Sequence, residues 1–97
     1  MDLNELEQKI KQWHVDRNLI EGATDETQFV KLQEEVDELR TNIENGTTVI
    51  DDIGDIIVVL INIATRNNLT LTECVEYAWN EIKDRKGKMV NGVFVKE

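Results

Sequence analysis

Apolar residues recur at helical spacing in four successive stretches of the chain. Leu3, Leu6, Ile10 and Trp13 fall on one stripe that turns polar at Arg17, which predicts a first helix over about residues 2–20. Within it Trp13 suits either core packing or the edge of a ligand pocket, and His14 reads as a partly exposed helix residue without catalytic role. The stretch from Leu19 to Glu26 contains Gly22 and reads as a loop, in which Thr24 or Asp25 can cap the next helix, with Asp25 and Gln28 as a capping box. Phe29, Leu32, Val36, Leu39 and Ile43 then form a core stripe on a second helix over about Glu26–Glu44, ended by Asn45-Gly46.

The third stretch is different in kind. From about Val49 to Asn67 the face made by Ile50, Ile53, Ile57, Leu60, Ile61 and Ala64 is joined by Ile56, Val58, Val59 and Ile63. A helix that is apolar nearly all round is covered nearly all round, more than three neighbours in a short chain supply, so burial by a second subunit is expected. Thr47 or Thr48 starts it, Thr48 with Asp51 fitting a capping pattern. Gly54 costs about 1 kcal/mol in a helix interior, which predicts close approach of a neighbouring helix there. Thr70 and Glu73 form a capping box at the start of a fourth helix extending to about Lys86. Val75, Ala78, Trp79 and Ile82 make its expected buried stripe, with Cys74 beside it as a small buried hydrophobe. Asn91-Gly92, between Met89-Val90 and Val93-Phe94-Val95, predicts a hairpin, which should lean on the helices or on a partner chain because two strands alone are marginal.

Composition narrows the picture. Ninety-seven residues without proline and with only five glycines suit one domain of long helices. The expected fold is all-α: one domain, residues 1–97, an antiparallel four-helix bundle with a short C-terminal β-hairpin, completed by oligomerisation. A net charge of −9 disfavours non-specific binding to nucleic acid or to an anionic membrane surface. The run IIVVLINIA is about half of what a membrane span needs, the acidic start MDLNELEQKI lacks the pattern of a signal peptide, and the lone Cys74 allows no internal disulfide. Together these predict a cytoplasmic protein.

Two acid pairs change the picture most. KLQEEVDEL carries Glu35 and Glu38, and DDIGDIIVVLINIA carries Asp52 and Asp55. Residues three apart share a side of a helix, and both pairs border apolar stripes, so antiparallel neighbours would gather four carboxylates around one point. Such a group is held together by cations, and all-oxygen ligands suit Mg²⁺, with Mn²⁺ able to substitute. The only histidine, His14, lies outside any Glu-x-x-His spacing, which disfavours a di-iron site, and the lack of a His/Cys cluster disfavours zinc. Lys83, Arg85, Lys86 and Lys88 form a basic cluster downstream, which either complements a helix C-terminus or serves phosphates.

KLQEEVDEL, a short spacer, DDIGDIIVVLINIA and then AWNEIKDRKGKMVNGVFV together resemble the MazG-like family of all-α nucleoside triphosphate pyrophosphohydrolases, over about Trp13 to Phe94. That family's pattern is Glu-Glu-x-x-Glu, a spacer, Glu-x-x-Asp and a later Asn/Lys/Arg cluster. The chain departs from it at Asp52, where the family usually has Glu; the shorter Asp can still ligate, and Asp51 is the alternative. The resemblance implies hydrolysis between the α and β phosphates of a nucleoside triphosphate, giving a monophosphate and pyrophosphate. Glu35, Glu38, Asp52 and Asp55 would hold one to three Mg²⁺ ions, and Glu34 or Glu38 would act as general base. Lys83 and Arg85, with Lys31 or Lys86, would bind phosphate oxygens, Asn80 the sugar or a phosphate, and Trp13 the base. A homodimer or homotetramer and the clearing of modified nucleotides are further implications. Two other readings remain: a non-catalytic acidic helical interaction protein, and a dUTPase-like phosphohydrolase on the same frame.

Overall fold

A computed structural model describes all 97 residues as four helices followed by a hairpin: α1 (Leu3–Asp16), α2 (Asp25–Asn45), α3 (Ile50–Arg66), α4 (Leu71–Ile82), β1 (Gly87–Val90) and β2 (Val93–Lys96). This bears out the coarse all-α description with a C-terminal hairpin. The helices begin where short polar side chains replace missing backbone partners. Asp2 accepts from the Glu5 amide, Thr24 pairs reciprocally with Thr27, and Thr70 with Glu73. The box at α2 is therefore Thr24–Thr27 rather than Asp25–Gln28. At α3 the cap residue is Val49 with no side-chain bond, so the Thr48–Asp51 start pattern is not used. Gly46 ends α2 at φ 67°, in the left-handed region.

The first helix stops at Asp16, earlier than its periodicity suggested. Asn18 takes φ 57°, and a Cβ on Gly22 would collide with the Asn18 carbonyl, so this tight turn reverses the chain toward α2. Arg66 ties the turn down, donating from Nε to Asp25 Oδ1 at 3.0 Å and from Nη1 to the Ile20 carbonyl.

The core lies along α3. Val59, Ile61, Ala64 and Leu71 are the buried apolar residues, and five polar ones are buried with them: Glu7, His14, Glu35, Asp52 and Asn62. The sides that α1 and α2 turn inward only partly overlap the apolar stripes read from the sequence, sharing Ile10 on α1 and Leu32 and Leu39 on α2. On α1 the covered line is Glu7, Ile10 and His14; on α2 it is Gln28, Leu32, Glu35, Leu39 and Asn42. Leu3, Leu6, Phe29, Val36 and Ile43 remain exposed. His14, expected at the surface, is 3% exposed. Its Nε2 donates to the Val58 carbonyl at 2.9 Å, and Nδ1 faces Asn62 Nδ2 at 3.2 Å. One neutral tautomer, protonated on Nε2, satisfies both contacts. Asn62 also donates to the Leu19 carbonyl at 3.0 Å, so this pair fastens α1 and its turn to the middle of α3.

The fourth helix does not lie along the others as a bundle member would. Only Leu71 at its start is buried, while Val75, Trp79, Ile82 and Cys74 are exposed. The expectation of a buried α4 stripe and a buried Cys74 is thus corrected for the single chain. The helix is held by its N-terminus, where Glu7 of α1 accepts from the Leu71 amide, the Thr72 amide (3.2 Å) and the Thr72 hydroxyl (2.9 Å). A buried anion facing the orphan amides of a helix start is favourable on both counts. Gly54 likewise has no neighbour, since a Cβ there would meet nothing within 4 Å. The hairpin pairs Lys88 with Val95 and Met89 with Phe94 around Asn91 (φ 51°) and Gly92 (φ 81°), a left-handed pair suited to a two-residue turn. All eight strand residues are exposed, so the hairpin does not lean on the helices.

The outcome is an open molecule. Its radius of gyration is 15.8 Å, against about 12.5 Å for a compact domain of this length. No helix is long and apolar enough to cross a membrane.

Candidate metal centre

The acid pairs meet where α2 and α3 lie side by side. Glu35 is 6% exposed and Asp52 3%, Asp55 is half-buried and Glu38 exposed. One carboxylate oxygen from each of Glu35, Glu38 and Asp55 lies within 4.8 Å of the other two. Two trans ligands of one Mg²⁺ are about 4.2 Å apart, so small side-chain rotations bring all three onto a single ion. Glu35 Oε2 is buried and has no hydrogen-bond partner. An ionised oxygen without a partner is costly, and a cation is the partner its chemistry calls for.

The electrostatics carry the mark of crowded anions. The Glu35 carboxylate holds the Glu38 carboxyl above its ordinary value. Burial pushes the Asp55 carboxyl up, with Asp51, Glu35 and Asp52 adding to it. Lys31 gives partial relief: its Nζ is 3.2 Å from Glu35 Oε1 and 3.6 Å from Glu34 Oε2, and the Glu35 hydrogen bond raises the lysine's own pKa. A divalent ion fits this donor set, since it replaces mutual repulsion with attraction.

Asp52 is held differently from the other three. Both its oxygens accept from Asn42 Nδ2, at 3.0 and 2.8 Å, and it is not part of the trio that closes on a single point. Asp51 is exposed.

A cleft of about 420 Å³ opens beside the carboxylates, lined by Lys9, Ile10, Trp13, Asp55 and Val58. Asp55 belongs to both cleft and trio, so Trp13 stands next to the acids as the ligand-facing option required. The Arg17 guanidinium lies 4.4 Å from the centre of the Trp13 ring, a cation–π contact. Lys9 was not singled out by sequence patterning, although it sits one helical turn before Trp13. Asn80, Lys83, Arg85 and Lys86 are exposed on the end of α4 and the turn after it. The ion pairs of the chain involve Lys31 and Arg66 alone, so a single chain does not join this basic group to the acids.

No protein-family model matches the chain, and no solved structure matches it. It is similar to an uncharacterised 18.2 kDa protein from the rep-hol intergenic region of Haemophilus phage HP1, with 44% identity over 70 residues. The match covers 70% of this chain and 43% of the phage protein, so the chain spans less than half the length of that relative.

Proposed function

We propose that the chain is a Mg²⁺-dependent nucleoside triphosphate pyrophosphohydrolase of the MazG-like kind, working as a homo-oligomer. The observation that carries this reading is the junction at Asp55: a trio of carboxylates with one orphaned buried oxygen opens directly onto an aromatic-lined cleft. Glu35, Glu38 and Asp55 would hold the ion, with Asp52 beside them. Bound Mg²⁺ would offset phosphate charge and make a coordinated water more acidic. Trp13 offers a flat apolar surface for a base. Glu38, open to solvent at the edge of the trio, would take a proton from water, and Glu34, beside Lys31, is the other candidate. Lys31 can turn from Glu35 to a phosphate oxygen once a metal takes over its neutralising role. Asn80, Lys83, Arg85 and Lys86 would reach phosphates across an assembly, and the exposed apolar faces of α2, α3 and α4 supply the surface for one.

The test is pyrophosphate and monophosphate release from a panel of common and modified nucleoside triphosphates with Mg²⁺ or Mn²⁺. Equal amounts of the two products are expected, with loss of about a hundredfold or more in Asp55→Asn or Glu38→Gln. Folded protein that releases no pyrophosphate from any nucleotide would leave the acidic interaction protein as the better reading.

A further inference from the structure

The hydrogen bonds around Asp52 point to a division of labour among the four acids. Asn42 sits near the end of α2, and its amide cannot be turned around without loss. Its Oδ1 accepts from the Thr47 hydroxyl at 2.9 Å, while its Nδ2 spans both oxygens of Asp52. Thr47 is itself fixed, since its amide donates to the Asn42 carbonyl at 3.0 Å. The chain of bonds runs from the loop after α2, through one side chain, to a carboxylate that is 3% exposed. Glu35, by contrast, leaves Oε2 buried and without a partner, and its other oxygen is held only by the exposed Lys31. Three acids have oxygens free to converge, and the fourth is clamped.

We infer that Asn42, held by Thr47, is a positioning residue that keeps Asp52 out of direct ligation and directs it to the water shell of an ion bound by Glu35, Glu38 and Asp55. The chemistry favours this arrangement. Mg²⁺ keeps several of its waters, and those waters need fixed acceptors. Each Asp52 oxygen has lone pairs left after the Asn42 contact. Asp is also one methylene shorter than the Glu of the related pattern, so an acceptor one water away suits its reach better than a direct bond. Outer partners of this kind typically change metal affinity by about 10–100-fold.

This inference rests on the metal-centre reading above, and the test separates the two. Mn²⁺ is titrated into the full chain and followed by electron paramagnetic resonance and calorimetry, with folding checked by circular dichroism in EDTA. Asn42→Ala, and Thr47→Val as the milder variant that removes only the hydroxyl clamp, should each weaken Mn²⁺ by up to about 100-fold while remaining saturable. Asp52→Asn should weaken it to a similar extent, and the Asn42→Ala/Asp52→Asn double variant should be no worse than either single one. Asp55→Asn should lose saturable binding. If Asp52→Asn abolishes binding as Asp55→Asn does, or if Thr47→Val and Asn42→Ala both leave affinity within about twofold of wild type, the positioning role is wrong while the metal centre stands. Wild-type protein with no saturable Mn²⁺ site overturns both.

Discussion

At the scale of single residues, Asp55 and Glu38 tie protonation to stability. Both carboxyls are raised in the folded state, Asp55 by burial first and Glu38 by the charge of Glu35 first. The folded chain thus holds these protons more tightly than the unfolded one. The two groups contribute stability that is complete below the ordinary carboxylate range and is lost as pH rises through their raised values. In metal-free buffer the melting temperature of the wild type should therefore fall relative to Asp55→Asn as pH rises from the ordinary carboxylate value of about 4 through the raised one, leaving the variant the more stable at neutrality. Saturating Mg²⁺ should reverse that order, because ligand binding stabilises only the protein that keeps the site. Melting curves that run parallel across this pH range would show that the acids do not repel. Asn62 supports a separate expectation. It is 0% exposed and serves both His14 and the Leu19 carbonyl, so Asn62→Ala strands one buried and one half-buried acceptor. The cost should be about 1–3 kcal/mol in urea unfolding. The two acid pairs were legible because each spacing lies within a single helix, whereas the separation of Asp52 from the other three was not. His14, Glu7 and Asn42 were not, because their partners stand 44, 64 and 10 residues away and no local period encodes such pairs.

At the scale of elements, helix existence followed from periodicity and caps, whereas the face each helix buries did not. Periodicity reports where apolar side chains cluster, and on α2 that is the Phe29–Val36–Ile43 side. The intrachain contact with α3 instead centres on Glu35 and Asn42 and takes in only Leu32 and Leu39 of the predicted stripe. One helix thus presents two faces, one packed on the carboxylate-bearing α3 and an apolar one left open. The fourth helix shows the same separation, its stripe left open and its start secured by Glu7. Glu7→Ala removes charge-assisted bonds to the Leu71 and Thr72 amides, each worth about 1.5–3 kcal/mol. Amide hydrogen exchange should then accelerate across α4 while the α2–α3 pair keeps its protection. Uniform acceleration through all four helices would mean that Glu7 supports the whole fold rather than this junction.

At the scale of the whole molecule, a chain with four buried apolar residues and a radius of gyration of 15.8 Å has a core too small to account for a stable domain by itself. The uncovered surfaces of α2, α3 and α4, the vacant side of Gly54 and the free hairpin are consistent with the oligomer proposed above. Sedimentation equilibrium should give a mass of at least two chains. Val36→Asp with Ile43→Asp, which places charge on the open α2 stripe away from the acids, should shift it to one chain. A single-chain mass for the wild type would remove the assembly from the proposal. The sequence pointed toward such an assembly through the all-round apolar character of α3, two of whose apolar residues, Ile50 and Ile53, are exposed in the single chain. The open stripe of α4 was not legible, because apolar spacing is the same whether its own chain covers a stripe or leaves it exposed.

The tether at Glu7 also bears on how long the protein lasts. A helix fastened at one end, with Trp79 and Tyr77 open to solvent, is an easy substrate for a protease whenever no neighbour covers it. In the proposed oligomer, dilution that separates the copies would expose Asn67–Leu69 and the basic turn at Lys83–Lys86 to cleavage, and crowding them together would hide both. Turnover would then depend on abundance, with scarce chains removed quickly and plentiful ones persisting. Trypsin digestion across a dilution series should show this as a cleavage rate after Lys83 and Arg85 that falls as protein concentration rises.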